Sequence, residues 1–247
     1  MPVASTSCAA VPAADGSGEM VALSPAVEMV FFDIGGVLYD DTIYARAINT
    51  ALRALGASFT DREFDEVYRS ARAAQAGSFR GMLARRFLGP DADMAALEAE
   101  ASKHWAYPPE ALHGDVRPAL AALAGTYRLG IIANQPSSVK DALRRDGLAG
   151  SFEVWGVSED VGLEKPDPAL FTHVLREAEV DPPRSVMVGD RLDYDMRPAK
   201  AAGMRAVWVL RGEAPDDPTP EQLAEADAAI RGLDELPAAL ETLEVRS

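Results

Sequence analysis

The sequence is poor in the residues that staple, anchor or steer many proteins. It has one cysteine, Cys8, so no intrachain disulfide can form. Its three histidines (His104, His113 and His173) are scattered, and no His/Cys cluster has zinc spacing. No apolar run approaches the roughly 18 residues of a membrane-spanning helix. No Lys or Arg precedes Arg46. A secretory or organelle-targeting peptide needs positive charge, so neither fits, and a cytoplasmic location is expected. Basic residues number 24 against 39 acidic ones, a formal charge of −15. Such a surface repels nucleic acids and anionic membranes, so neither is expected as a partner. A small phosphorylated substrate remains compatible, because a local site can carry its own positive field. Only four residues are lysine (Lys103, Lys140, Lys165 and Lys200), so a lysine inside a motif carries information.

What is present is an ordinary globular balance, 48% hydrophobic and 26% charged. The 247 residues can bury a core without staples. Residues 1–26 are rich in Ala, Ser, Pro and Gly and read as a disordered tail. "VEMVFFDIGG" then reads as a buried strand ending in Asp33 and a glycine turn. From Asp41 the pattern turns helical. "TIYARAINTALRALG" places Ile43, Ala47, Ile48, Ala51, Leu52 and Leu55 on one face, with Gly56 to end it. Thr60 with Glu63 is a capping-box signature for a second helix. "SFRGMLARRFLG" and "DADMAALEAEASKHW" add two more.

After Pro108 and Pro109, apolar strands alternate with helices of about ten residues, which indicates a parallel sheet covered on both faces. The expected fold is α/β, a doubly wound, Rossmann-like parallel sheet with a smaller helical domain. Residues 27–40 and 114–247 would form the sheet domain. Residues 41–113 would form a helical insertion, with hinges near Tyr39–Asp41 and His113–Asp115.

Ligands of open parallel sheets bind at the carboxyl ends of the strands. Asp33 follows the first strand, Asn134 the second, Glu159 and Lys165 the third, and Asp190 the fourth. Carboxylates and a lysine converging beside Gly35, Gly36 and Gly189 make the composition of a divalent-metal and phosphate site.

The motifs "FFDIGGVLYD", "LGIIAN", "GLEKPDPALF" and "VGDRLDYDMRPAKAAGM" occur in this order between Val27 and Leu210. Together they resemble the four motifs of the haloacid dehalogenase-like hydrolase superfamily. The helical insertion resembles the cap that many members carry after the first motif. The resemblance implies hydrolysis of a small phosphomonoester through an aspartyl-phosphate on Asp33. It implies Mg2+ on Asp33, on Asp190 and on the backbone carbonyl of Gly35. Lys165 would hold the nucleophile and the transferring group. Asp195 would orient Lys165 or metal-bound water, and Asn134 would offer its backbone N–H to phosphoryl oxygens.

Two positions depart from the family pattern. Gly35 stands where the phosphatases place a second Asp, the general acid/base. Its loss costs on the order of 10²–10⁴ in rate if nothing replaces it. Ala133 replaces a Ser or Thr whose hydroxyl would bind phosphate, a bond worth about 1.5–3 kcal/mol to a charged acceptor. Gly35 keeps other readings open. These are a phosphatase that takes its acid/base from the cap or the substrate or acts on a good leaving group, a weakened relative that binds a phosphorylated ligand or partner, a dehalogenase, or a phosphonate-cleaving enzyme with Lys103 as its Schiff-base lysine.

Several other residues carry weaker readings. Asp40 and Asp41, at the entrance to the insertion, read as hinge or helix-cap residues rather than chemistry. Asp193 reads as surface or supporting. Arg191 could face substrate or form a surface ion pair. Arg69, Arg72 and Arg80 could bind a substrate anion or lie on an exposed helix. His104, Trp105 and Tyr107 close the insertion and read as packing residues, with facing the cleft as the alternative.

Overall fold

A computed structural model describes residues 26–245. The expected tail therefore lies almost wholly outside the described residues. The chain runs from β1 (Met29–Phe32) into four consecutive helices: α1 (Thr42–Ala54), α2 (Asp61–Ala74), α3 (Phe79–Phe87) and α4 (Met94–Ala101). It then alternates through α5 (Val116–Leu123), β2 (Arg128–Ala133), α6 (Val139–Arg145), β3 (Val154–Val157), α7 (Ser158–Val161) and α8 (Pro168–Glu177). It closes with β4 (Ser185–Gly189), α9 (Arg197–Ala201), β5 (Arg205–Val209), α10 (Pro220–Leu223), β6 (Ala228–Ile230) and α11 (Leu236–Val245).

The six strands form one parallel sheet in the order β3-β2-β1-β4-β5-β6. It is doubly wound, and the alternation within β1 displays this. Val30 and Phe32 face one apolar cluster with Val116, Leu120, Leu143, Leu236 and Leu240, from α5, α6 and α11. Met29 and Phe31 face another with Leu170, Phe171, Val174 and Ala199, from α8 and α9. All four β1 side chains are buried, which is why the strand reads as an unbroken apolar run. The chain leaves β1 toward β2 and β3, then returns to place β4 on the other side of β1. The carboxyl ends of β1 and β4 therefore meet where the strand order reverses, the usual place for a crevice.

The four inserted helices pack around their own apolar cluster, which includes Ile48, Leu52, Phe64, Leu83 and Leu97. The expected face of α1 is largely buried, but Leu55 is not part of it; it lies past the helix end, 38% exposed. Thr60 and Glu63 form the expected reciprocal capping box at α2. The two linkers of the insertion pair with each other: Asp40 N–H donates to Ala111 O at 2.8 Å, and His113 N–H donates to Leu38 O at 3.0 Å. A second seam joins α2 to the sheet. Gln75, at φ 46° and 1% exposed, donates through Nε2 to Glu213 O at 2.7 Å and accepts from Leu192 N–H at 2.8 Å. No helix among the described residues is long and apolar enough to cross a membrane.

Candidate active site

A cavity of about 440 Å³ lies between the strand ends and the inserted helices. It is lined by Asp33, Gly35, Asn134, Lys165 and Asp190 from the sheet side, and by Tyr44, Arg80, Glu98, Ser102 and Trp105 from the insertion side. Asp195 lies beneath it, fully buried.

Asp33 follows β1 directly, and its Oδ1 accepts from the Ile34 N–H at 2.8 Å. Lys165 Nζ lies 2.9 Å from Asp33 Oδ2 and 2.6 Å from Asp195 Oδ1. Asp195 Oδ2 accepts from the Arg191 N–H at 3.0 Å, so both of its oxygens are engaged. Asp195 sits in a π-helical turn, Leu192–Met196, just before α9. Such turns are frequent at functional sites because they re-aim one side chain. Gly189 is required beside it, since a Cβ there would overlap the Asp195 carboxylate.

Asn134 has a geometry that its motif does not reveal. Its Nδ2 donates to Lys165 O at 2.8 Å, and its Oδ1 accepts from Lys165 N–H at 2.7 Å. The side chain thus buckles the end of β2 to the backbone of Lys165. Asp190 is held by three contacts. Its carbonyl accepts from Trp208 Nε1 at 2.8 Å and its Oδ2 from Glu213 N–H at 2.6 Å, while its carboxylate packs against Gly36 and Gly212.

Burial and crowding govern the charges. Burial pushes the Asp33 carboxyl up to about 6, with Lys165 opposing and Asp195 reinforcing the rise. Asp190 is raised well above the carboxylate range by burial, then by Asp195, Asp33, Asp41 and Glu213. Burial alone would lower Lys165. Asp195 and Asp33 outweigh it and hold the ammonium above its ordinary value. One oxygen from each of Asp33, Asp190 and Asp195 falls within a set of atoms lying inside 4.8 Å of one another. Three carboxylates, Asp190 and Asp195 buried and Asp33 partly so, against one lysine leave an uncompensated negative charge. A hard divalent cation would favour their ionised forms, so the donor set fits Mg2+.

The remaining residues are sorted by the same geometry. Asp41 does not cap α1; its side chain makes no cap hydrogen bond, and it lines the cavity. It is Asp40 that accepts from Thr42, at 2.9 Å from N–H and 2.7 Å from Oγ1. Burial raises Asp41 well above its ordinary value, with Glu213 and Asp33 adding to it. Arg191 is no surface residue: it is 8% exposed, 2.5 Å from Glu213 Oε2 and 2.7 Å from Asp193 Oδ1. It also donates to Gly77 O at 2.8 Å, while Asp193 Oδ2 accepts from Gly77 N–H at 2.8 Å. Both residues thus tie the motif loop to the inserted helices. Of the three candidate arginines, Arg80 reaches the cavity and pairs with Glu98 and Tyr44 Oη. Arg72 binds Ala214 O at 2.9 Å, and Arg69 is exposed beside Asp216. Glu159 lies at the cavity mouth and accepts from Ser137 N–H at 2.6 Å. Lys103 pairs with Glu100 at 2.5 Å, 63% exposed and away from the cavity lining. Trp105 lines the cavity rather than serving packing alone.

Residues 27–203 match the haloacid dehalogenase-like hydrolase family. The chain belongs to that family. A phosphoserine phosphatase of Thermus thermophilus is 36% identical over 183 residues, covering 71% of this chain and 70% of the relative. A glyceraldehyde 3-phosphate phosphatase of Methanopyrus kandleri is 31% identical over 202 residues, covering 77% and 87%. The structure of the HAD-hydrolase YfnB from Bacillus subtilis, described as bound to magnesium, superposes with a TM-score of 0.66. It is 22% identical and covers 87% of this chain and 99% of that one, a likeness of fold. Within this hydrolase, Asp41 and Glu213 line the cavity, whereas from sequence Asp41 reads as a hinge or cap residue and Glu213 carries no role; Gln75, likewise without one, holds the Glu213 carbonyl beside it. Glu213 directly follows Gly212 just after β5, which is the one signal the sequence offered for it, whereas Asp41 is separated from Gly36 by Val37, Leu38, Tyr39 and Asp40.

Proposed function

We propose that this hydrolase removes the phosphoryl group of a small phosphomonoester, with Asp33 as nucleophile and Mg2+ as cofactor. The observation that carries the reading is Lys165 Nζ, fixed between Asp33 and the buried Asp195 on the floor of one cavity. An ammonium there neutralises charge on the phosphoryl oxygens, and preorganised positive charge is the main source of catalysis in phosphoryl transfer. Asp33 Oδ attacks phosphorus, and the bond to the leaving oxygen breaks. Water then cleaves the aspartyl-phosphate, releasing inorganic phosphate and restoring Asp33. Asp195 positions Lys165, and Asn134 fixes the backbone from which Lys165 projects. The backbone N–H of Asn134 and the carbonyl of Gly35 are the groups we assign to phosphate and metal. Asp33, Asp190 and Gly35 would hold Mg2+, which supplies additional positive charge at the transferring group when bound.

In this reading residues 27–40 and 114–247 form the catalytic unit, and residues 41–113 form the cap that selects the substrate. The names of the two phosphatase relatives support a small three-carbon phosphate as substrate, and a cavity of about 440 Å³ has room for one. The test is phosphate release from a panel including 3-phosphoserine and glyceraldehyde 3-phosphate, with and without Mg2+, beside Asp33→Asn. Metal-dependent release abolished by Asp33→Asn is expected. Tight binding of one compound with no turnover of any would overturn hydrolysis. Halide release from a haloacid without added metal would identify a dehalogenase instead.

A further inference from the structure

Asp33 is followed two positions later by a residue with no side chain, Gly35, so the family's acid/base carboxylate is missing from its usual place. The space is not empty. A Cβ built on Gly35 would lie 2.7 Å from Asp41 Oδ1 and 2.8 Å from Asp41 Oδ2. The Asp41 carboxylate therefore occupies the volume in which a side chain at position 35 would begin. It lines the same cavity as Asp33, Lys165 and Asp190.

The Asp41 carboxylate has one local partner, the backbone N–H of Gly36 in the turn beside Gly35. Asp41 stands at the start of α1, where an aspartate normally caps the helix through its side chain. Its carboxylate makes no such bond, and the neighbouring Asp40 serves Thr42 instead. No Lys or Arg pairs with Asp41 among the described residues. A carboxylate that is half-buried, caps no helix, has no cationic partner among the described residues and lines the nucleophile's cavity, held toward Gly35 by the Gly36 N–H, is in position for proton transfer.

We propose that Asp41 is the general acid and base of this site, supplying from the first turn of the insertion the carboxylate that position 35 lacks. The inference rests on the phosphatase reading above. As Asp33 attacks phosphorus and the bond to the leaving oxygen breaks, protonated Asp41 gives its proton to that oxygen, and the alcohol departs. The Asp41 carboxylate then takes a proton from the attacking water. The bond between phosphorus and the Asp33 oxygen breaks, inorganic phosphate leaves, and Asp41 is again protonated. Because Asp41 sits on the linker, the acid and base would be delivered by the same segment that carries the insertion.

The test compares wild type, Asp41→Asn and Asp41→Ala on an alkyl phosphate and on p-nitrophenyl phosphate, whose leaving group needs no proton. Asp41→Asn should lower kcat on the alkyl phosphate by on the order of 10²–10⁴, and should lower Asp33 phosphorylation on p-nitrophenyl phosphate far less. Intact-mass analysis of quenched enzyme should then find phosphorylated Asp33 accumulating, since its hydrolysis also needs the base. A second variant removes dependence on one substitution. Gly35→Asp alone should be impaired, because its Cβ meets Asp41, whereas Gly35→Asp in the Asp41→Ala background should recover at least about tenfold over Asp41→Ala alone. Unchanged kcat on the alkyl phosphate in a folded Asp41→Asn would overturn the assignment while leaving the phosphatase reading intact. So would failure of the double variant to recover. A wild type that releases no phosphate from any ester and never labels Asp33 would overturn both.

Discussion

Lys165 Nζ donates to Asp195 Oδ1 at 2.6 Å, and the two side chains are 2% and 0% exposed. An ammonium so deeply buried persists as a cation only because the carboxylates beside it outweigh the cost of desolvation. Asp195 is the partner with no access to solvent, and its second oxygen is held by the Arg191 N–H. Breaking one member of a buried pair typically costs about 3–5 kcal/mol. Asp33 remains as a second counter-charge, so Asp195→Asn is expected to lower unfolding free energy by about 3 kcal/mol, at the low end of that range. Urea denaturation followed by circular dichroism measures it. A loss below about 0.5 kcal/mol, the usual scale of a surface substitution, would mean that Asp195 does not hold the lysine.

Gln75 is a buried residue through which the inserted helices grip the loops at the strand ends. Its Nε2 serves Arg72 O and Glu213 O at 2.8 and 2.7 Å, and its Oε1 takes the Leu192 N–H at 2.8 Å. Gln75→Ala leaves buried backbone groups without partners, each worth about 1–3 kcal/mol. Stability should fall by about 2 kcal/mol, and limited proteolysis should cut more rapidly within residues 76–78. Gln75→Glu keeps the acceptor for Leu192 but turns the other end against Glu213 O, and should be as damaging as alanine. Equal protease resistance in all three proteins would refute this role for Gln75.

The elements were legible because their physics is local. Thr60 and Glu63 announce a helix start through their own side chains, and β1 announces a buried strand through four consecutive apolar residues. Asp33, Lys165 and Asp190 were legible for a related reason: each follows a strand end, and parallel strands bring those ends together. Asp41 was not. Its meaning depends on Gly35 leaving a space that only the folded linker fills. Arg191 and Asp193 could be read as surface charges because their partners are distant in sequence: Glu213 lies 22 residues from Arg191, and Gly77 lies 116 residues from Asp193. Gln75 carries no sequence signal, because its role comes from backbone groups of loops far along the chain.

Gly36 and Gly77 share a left-handed backbone, at φ 68° and 74°, but differ in surroundings. A Cβ on Gly36 would overlap Asp190 Oδ2 and lie 3.1 Å from Gly212 Cα, whereas one on Gly77 would meet nothing within 4 Å. Gly77→Ala should therefore cost only backbone strain, about 1–2 kcal/mol, and leave Mg2+ affinity intact. Gly36→Ala adds displacement of Asp190. Disturbing a residue that supports a metal ligand typically costs 10- to 100-fold in affinity, and a loss on the order of tenfold or more is expected by titration calorimetry. Equal Mg2+ affinity in the two variants would show that Asp190 is not a ligand.

His113 makes stability pH-dependent at the second linker. Its Nε2 is buried with no partner among the described residues, while its N–H holds Leu38 O at 3.0 Å. Burial, and then the Arg211 guanidinium, lowers its ring below the ordinary value of 6.5. The folded state thus resists a proton that the unfolded chain accepts. Well above 6.5 both states are neutral and the group contributes nothing. As pH falls through 6.5 the unfolded chain binds the proton first, and folding stability is lost. His113→Gln cannot titrate there. Denaturant melts at about pH 7.5 and about pH 5.5 should find that wild type loses stability relative to His113→Gln on acidification, whatever their difference at the higher pH. A wild-type curve that stays parallel to that of the variant across this range would remove His113 as the cause.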